Sequence, residues 1–148
     1  MSDYQLAQLN IAKMKFAMDA PEMAEFIARL DDVNALADDA PGFVWRLQTD
    51  TGDATAIDFF GPDYLVNMSV WKDVESLRDY AFVSAHKAVL ARRNQWFARM
   101  DEAYAVLWWV PAGKIPTLEE ASERLERLRR DGPGPHAFTF KRVFEPGQ

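Results

Sequence analysis

Three side chains in this sequence have types that could act together on a small molecule: Asn10, Trp71 and His86. An asparagine amide can donate and accept at once, and an indole N–H donates only. Neutral imidazole donates through one nitrogen and accepts through the other, so His86 can serve as an acid–base group, a haem ligand or a hydrogen-bonding group. On helical spacing Phe82, Val83, His86, Val89 and Leu90 fall together, which puts the imidazole on or beside an apolar face. The structural alternative is a core histidine satisfied by a backbone carbonyl or by a side chain such as Asn10. Spacing alone favours that alternative.

Other groups offer less. His136 follows DGPGP and reads as a loop residue. Two isolated histidines lack the compact spacing of a metal site. Asp31–Asp32 and Asp38–Asp39 read as solvated helix surface, because a glycosidase-like pair needs a cleft between its carboxylates. There is no G-x-S-x-G elbow and no glycine-rich phosphate loop, and the PGPH run is turn chemistry.

Strands and helices must position these groups. YQLAQLNIA (4–12) reads as a strand with Leu9 and Ile11 on one face and Leu6, Gln8 and Asn10 on the other. Residues 19–39 read as a helix capped by Asp19, with Pro21 in its first turn and an apolar stripe of Met23, Phe26, Ile27, Leu30 and Val33. FVWRLQ (43–48) and YLVNMSVW (64–71) read as strands, with Phe43, Trp45 and Leu47 sharing a face. Residues 49–63 read as a loop with a brief extended piece at TAIDFF.

Helical character runs from about Asp73 to Phe97, with a break near 81–84. YAVLWWV (104–110) is the strongest strand, stopped by Pro111 and Gly113. TLEEASERLERLRRDG (117–132) is the clearest helix: Thr117 and Glu120 match a capping box, and Leu118, Ala121, Leu125 and Leu128 form its buried side. HAFTFKRVF (136–144) reads as a last strand. With no repeat and no linker, residues 1–148 read as one α+β domain. Its core is a ferredoxin-like antiparallel sheet with helices on one face and an added C-terminal helix and strand.

The strands are apolar on both faces, so helices on one face leave the other to be covered. The economical cover is a second copy packed sheet to sheet, which predicts a homodimer. The alternative is a monomer whose 49–63 loop or 81–97 segment crosses that face. A twofold assembly of that kind leaves a cavity between each sheet and its helices, or at the barrel edge, for which strand parity nominates Asn10, Asn67 and Trp71 as lining groups.

Bulk composition narrows the function classes. Hydrophobic residues make up 49% and charged residues 27%, which supports a packed core. The absence of cysteine excludes disulfides and thiolate chemistry and fits a cytoplasmic protein. The opening residues do not read as a signal peptide, and no run is long enough to span a bilayer. The net charge of -6 argues against nucleic acid as a partner.

The segments YQLAQLNIAKMK, FVWRLQ, NMSVWKDVESLRDYAF and WWVPAGKIPTLEEASERLERLRRDGPGPHAFTFK together resemble the bacterial domain-of-unknown-function family 3291 over nearly the whole chain. That family is similar to the dimeric alpha-beta barrel superfamily, which contains antibiotic-biosynthesis monooxygenases and haem-degrading monooxygenases. The resemblance implies a pocket for a small aromatic ligand. Haem-degrading members use a first-strand asparagine, a tryptophan closing a middle strand and a helical histidine. Asn10, Trp71 and His86 resemble these roles, with His86 as the group that would ligate haem iron. His86 falls later in its helix than that arrangement expects. Quinol-type monooxygenases of the superfamily instead use a pocket of Asn, Trp and aromatic groups. Two readings follow: a non-catalytic small-ligand protein, or an oxygenase of a small aromatic molecule.

Overall fold

In a computed structural model of the chain, residues 3–17, 19–48, 59–61, 63–81 and 93–146 are described. Four strands form one antiparallel sheet: β1 (Tyr4–Lys13), β2 (Phe43–Arg46), β3 (Tyr64–Trp71) and β4 (Ala105–Pro111), in the order β2-β3-β1-β4. Among the described residues the α-helices are α1 (Ala24–Asp39), α2 (Val74–Ala81), the single turn α3 (Arg93–Trp96) and α4 (Leu118–Asp131). This is the expected α+β, ferredoxin-like arrangement, with both central strands flanked by antiparallel neighbours.

Period-2 alternation sorts the sheet side chains into two cores. On one face Leu6, Trp71 and Leu107 pack with Ala37 of α1 and Leu77 of α2. On the other, Ala7, Leu9, Ile11, Val66, Met68, Val70, Val106, Trp108 and Val110 pack with Ala121, Leu125 and Leu128 of α4. A third cluster joins Met23 and Phe26 to Trp96 and Phe97, holding the start of α1 against the segment before β4.

The second face corrects the expectation that helices lie on one side only. α4 covers it, aided by Trp45, Leu47 and Phe60. Its nine strand side chains are each no more than 3% exposed. The apolar surface that argued for sheet-to-sheet pairing with a twin is therefore hidden within the chain.

Local sequence explains the elements. Thr117 Oγ1 accepts from the Glu120 N–H at 3.1 Å, capping α4, and Gly132 with φ +76° ends it. Asp73 Oδ1 accepts from the Ser76 N–H at 2.8 Å and from its hydroxyl at 2.7 Å, capping α2. Those two bonds hold the Asp73 carboxyl below its ordinary pKa.

Three local expectations change. α1 is preceded by a 3-10 turn, Pro21–Met23, whose N-cap is Ala20 with no side-chain bond, so Asp19 does not cap it. Ile27 is 36% exposed and falls outside the apolar stripe, whereas Ala37 joins it. A bulge between Phe43 and Trp45 inserts a residue into β2, placing Phe43 with Trp71 and Trp45 on the α4 side.

The expected last strand is a single bridge. Phe138 exchanges both backbone bonds with Leu107, at 2.8 and 2.9 Å. Turns closed by Gly134–Ala137 and Thr139–Arg142 bend the chain away on either side of it. The TAIDFF piece lies mostly outside the described residues, and Phe59 and Phe60 sit in a turn.

Candidate functional site

The face of the sheet that meets α1 and α2 is not wholly apolar. Gln8 and Asn10 project from β1, Asn67 and Ser69 from β3, and antiparallel register sets Asn10 opposite Asn67 and Gln8 opposite Ser69. Four polar side chains thus occupy one patch in the middle of two central strands. Gln8 and Ser69 are buried, at 7% and 6% exposure.

Buried polar groups must find partners, and these find one another. Gln8 Nε2 donates to Asn67 Oδ1 at 2.6 Å and to Ser69 Oγ at 2.8 Å. Asn10 Nδ2 donates to Gln8 Oε1 at 3.0 Å and reaches Asn67 Oδ1 at 3.5 Å. Behind them, the Trp71 indole N–H donates to Ser69 Oγ at 2.8 Å.

Above this patch is a cavity of about 390 Å³. Phe26, Leu30 and Val33 of α1, Leu77, Tyr80 and Ala81 of α2, Leu65 of β3, and Phe97 form its apolar walls, with Thr139 and Phe140 at its C-terminal side. Gln8, Asn10, Asn67 and Ser69 form its polar floor. No Lys, Arg, Asp or Glu is among the described lining residues. The size and the mix of apolar wall with few polar groups are those of a small-molecule site.

Tyr80 closes one end. Its hydroxyl donates to the Val33 carbonyl at 3.1 Å, and its ring stacks on Trp71 at 5.0 Å. Burial pushes the Tyr80 phenol up to about 12, with Asp38 adding to the rise and Arg46 opposing it. At neutral pH it is a protonated donor.

Of the three side chains nominated from the sequence, Asn10 lines the cavity. Trp71 is fully buried and sits behind it: Phe43 meets its ring edge-on at 5.4 Å, and Tyr80 covers its face. It touches the site through Ser69. His86 lies outside the described residues, and the haem reading, which rests on it, goes with it. Asn67, nominated by parity, lines the cavity. Gln8 and Ser69 were not nominated, although two polar residues at period-2 spacing from Asn10 and Asn67 were the signal that could have found them.

The remaining candidates are placed elsewhere. His136 is an exposed loop residue whose carbonyl accepts from Arg124 at 3.0 Å. Asp32, Asp38 and Asp39 are exposed, and Asp38 pairs with Arg46 at 2.8 Å. Among the described residues, no helix is long and apolar enough to cross a membrane.

A four-stranded antiparallel sheet backed by helices, with a polar-floored cavity between them, defines an α+β protein of ferredoxin-like architecture. The chain belongs to the family described as Domain of unknown function (DUF3291), which matches residues 5–148. No curated protein matches it.

Among solved structures, a conserved protein from Methanosarcina mazei Go1 is similar over 74% of this chain and 93% of its own, with 13% identity and a TM-score of 0.52. Protein SO0527 from Shewanella oneidensis is similar over 74% of this chain and 91% of its own, with 8% identity and a TM-score of 0.51. SnoaB from Streptomyces nogalater, a cofactor-independent oxygenase, is similar over 77% of this chain and 97% of its own, with 16% identity and a TM-score of 0.46. At such identities the first two likenesses show the fold alone.

Proposed function

We propose that this protein binds a small, uncharged, mostly apolar molecule in the cavity between the sheet and helices α1 and α2. The observation that carries the reading is the pairing of apolar walls with a hydrogen-bonded floor of Asn10, Asn67, Gln8 and Ser69. Aromatic and aliphatic walls supply affinity by area, at about 25 cal/mol per Å² buried, while the amides orient the ligand. Asn10 is the ligand-facing group, and Trp71 acts through Ser69. The absence of charge among the described lining residues favours a neutral ligand, because an ion there would lose its hydration without a counter-charge.

A homodimer remains the partner expected from sequence. It would meet through surface other than the α4-covered sheet face, whose side chains are already buried.

The test is binding of two-ring aromatic compounds, followed by thermal shift and calorimetry, in the wild type and in Leu30→Trp, which fills the cavity from α1. Saturable binding that the tryptophan abolishes, with melting unchanged or raised, supports the reading. Equal binding by both proteins overturns it. Oxygen uptake with a naphthoquinol, lost in Asn10→Ala, would replace binding alone by the oxygenase reading.

A further inference from the structure

The floor of the cavity is a closed chain of donors and acceptors, and its accounting says what it has left for a ligand. Gln8 uses both N–H bonds, one on Asn67 Oδ1 and one on Ser69 Oγ. Its Oε1 takes Asn10 Nδ2. On the two asparagines, two groups remain without a partner among the described residues: Asn10 Oδ1, an acceptor, and Asn67 Nδ2, a donor; Ser69, which accepts from both Gln8 and Trp71, also keeps its own hydroxyl proton. The two residues are register partners whose amides approach to 3.5 Å, so one ligand can reach both.

An amide half-turn exchanges its oxygen and nitrogen. If Gln8 turns over, its Oε1 faces Asn67 and Ser69, and its Nε2 faces Asn10. Asn67 must then donate, Asn10 must accept, and Ser69 must give its hydroxyl proton to Gln8. Ser69 still accepts from Trp71, whose indole can only donate. The leftover groups become a donor on Asn10 and an acceptor on Asn67. In both settings the two asparagines offer one donor beside one acceptor, never two alike.

We infer that Gln8 is a positioning residue that forces Asn10 and Asn67 into opposite polarity, so that the cavity selects a neutral ligand carrying an adjacent hydrogen-bond donor and acceptor, as in a lactam. This rests on the cavity reading above. Gln8 spends both its N–H bonds and its carbonyl on its neighbours in the floor, so its effect on a ligand is through the asparagines.

The experiment compares 2-quinolone, whose ring N–H adjoins its carbonyl, with 2-methoxyquinoline, which has no donor, by calorimetry at pH 8. Wild type is expected to bind 2-quinolone at least tenfold more tightly. In Gln8→Met the preference is expected to fall below threefold, with the affinity for 2-methoxyquinoline unchanged, a pattern that general loosening of the fold would not give. Should Gln8→Met not fold, Gln8→Leu replaces it and is expected to give the same collapse of preference. A preference that survives either variant, or equal wild-type affinity for both probes, overturns the inference and leaves the cavity reading standing. Wild type that binds no probe overturns both.

Discussion

The Trp108 indole N–H donates to Glu120 Oε2 at 2.8 Å, joining the centre of the α4-covered sheet face to the first turn of the helix that covers it. Trp108 is fully buried, so this bond satisfies a donor that water cannot reach. Glu120→Ala is expected to leave it unpaired and to cost about 1–3 kcal/mol. Glu120→Gln keeps an acceptor and is expected to recover most of that loss. Urea unfolding of the three proteins checks the order.

α4 also seals the face by packing. Leu125 is 1% exposed in that seam. Leu125→Asp places a carboxylate among the buried apolar side chains of that seam, and is expected to destabilise by about 3 kcal/mol or more. It should also loosen α4 and uncover the valines and Trp108 beneath. Light scattering is expected to show self-association in the variant beyond that of wild type. An unchanged scattering mass with raised stability would refute the role given to α4.

Tyr80 predicts a specific alkaline limit. Its folded pKa is about 12 against an ordinary 10, so the folded state holds its proton where the unfolded state has released it. That contribution is complete below pH 10 and is lost as pH rises from 10 towards 12. Melting temperature measured from pH 9 to 11.5 is expected to fall through this window. Tyr80→Phe is expected to flatten that fall, while losing about 1 kcal/mol at neutral pH with the bond to Val33.

Gly42 marks a close approach between the turn into β2 and helix α2. Its φ is +84°, and a Cβ there would stand 2.1 Å from Ser76 Oγ, itself fixed by Asp73. Gly42→Ala is expected to cost about 2 kcal/mol or more, from positive-φ strain and displacement of the cap. Gly113 also has positive φ but meets nothing within 4 Å, so Gly113→Ala is expected to cost less. Chemical denaturation of both variants tests the difference.

Much of the scaffold could be read before the structure was known. The Thr117 cap, the WW-centred strand and the alternation in YQLAQLNIA each follow from local rules and stand in the structure, although Glu120 gives its carboxylate to Trp108 rather than closing the box. Strand parity also brought Asn10 and Asn67 to one site. Local rules cannot say which face an amphipathic helix covers, because its apolar side fits either. α4 was recognised as a helix, yet its seat on the Trp108 face was not. Parity was also misled in β2, where the bulge after Phe43 turns Trp45 to the other side. Trp71 shares a face with Asn10, but Tyr80 and Phe43 screen it, a three-body arrangement that no spacing rule contains.

The bridge between Leu107 and Phe138 bears on how the molecule behaves when crowded. β4 is an outer strand, and its outer rim of amides and carbonyls is a template on which a foreign strand could polymerise. Phe138 occupies that rim at Leu107, and the Trp109 indole grips the Phe144 carbonyl at 2.7 Å farther along the tail. Residues 138–144 thus shield part of that rim, and trimming them is expected to trade a short tail for a sticky rim.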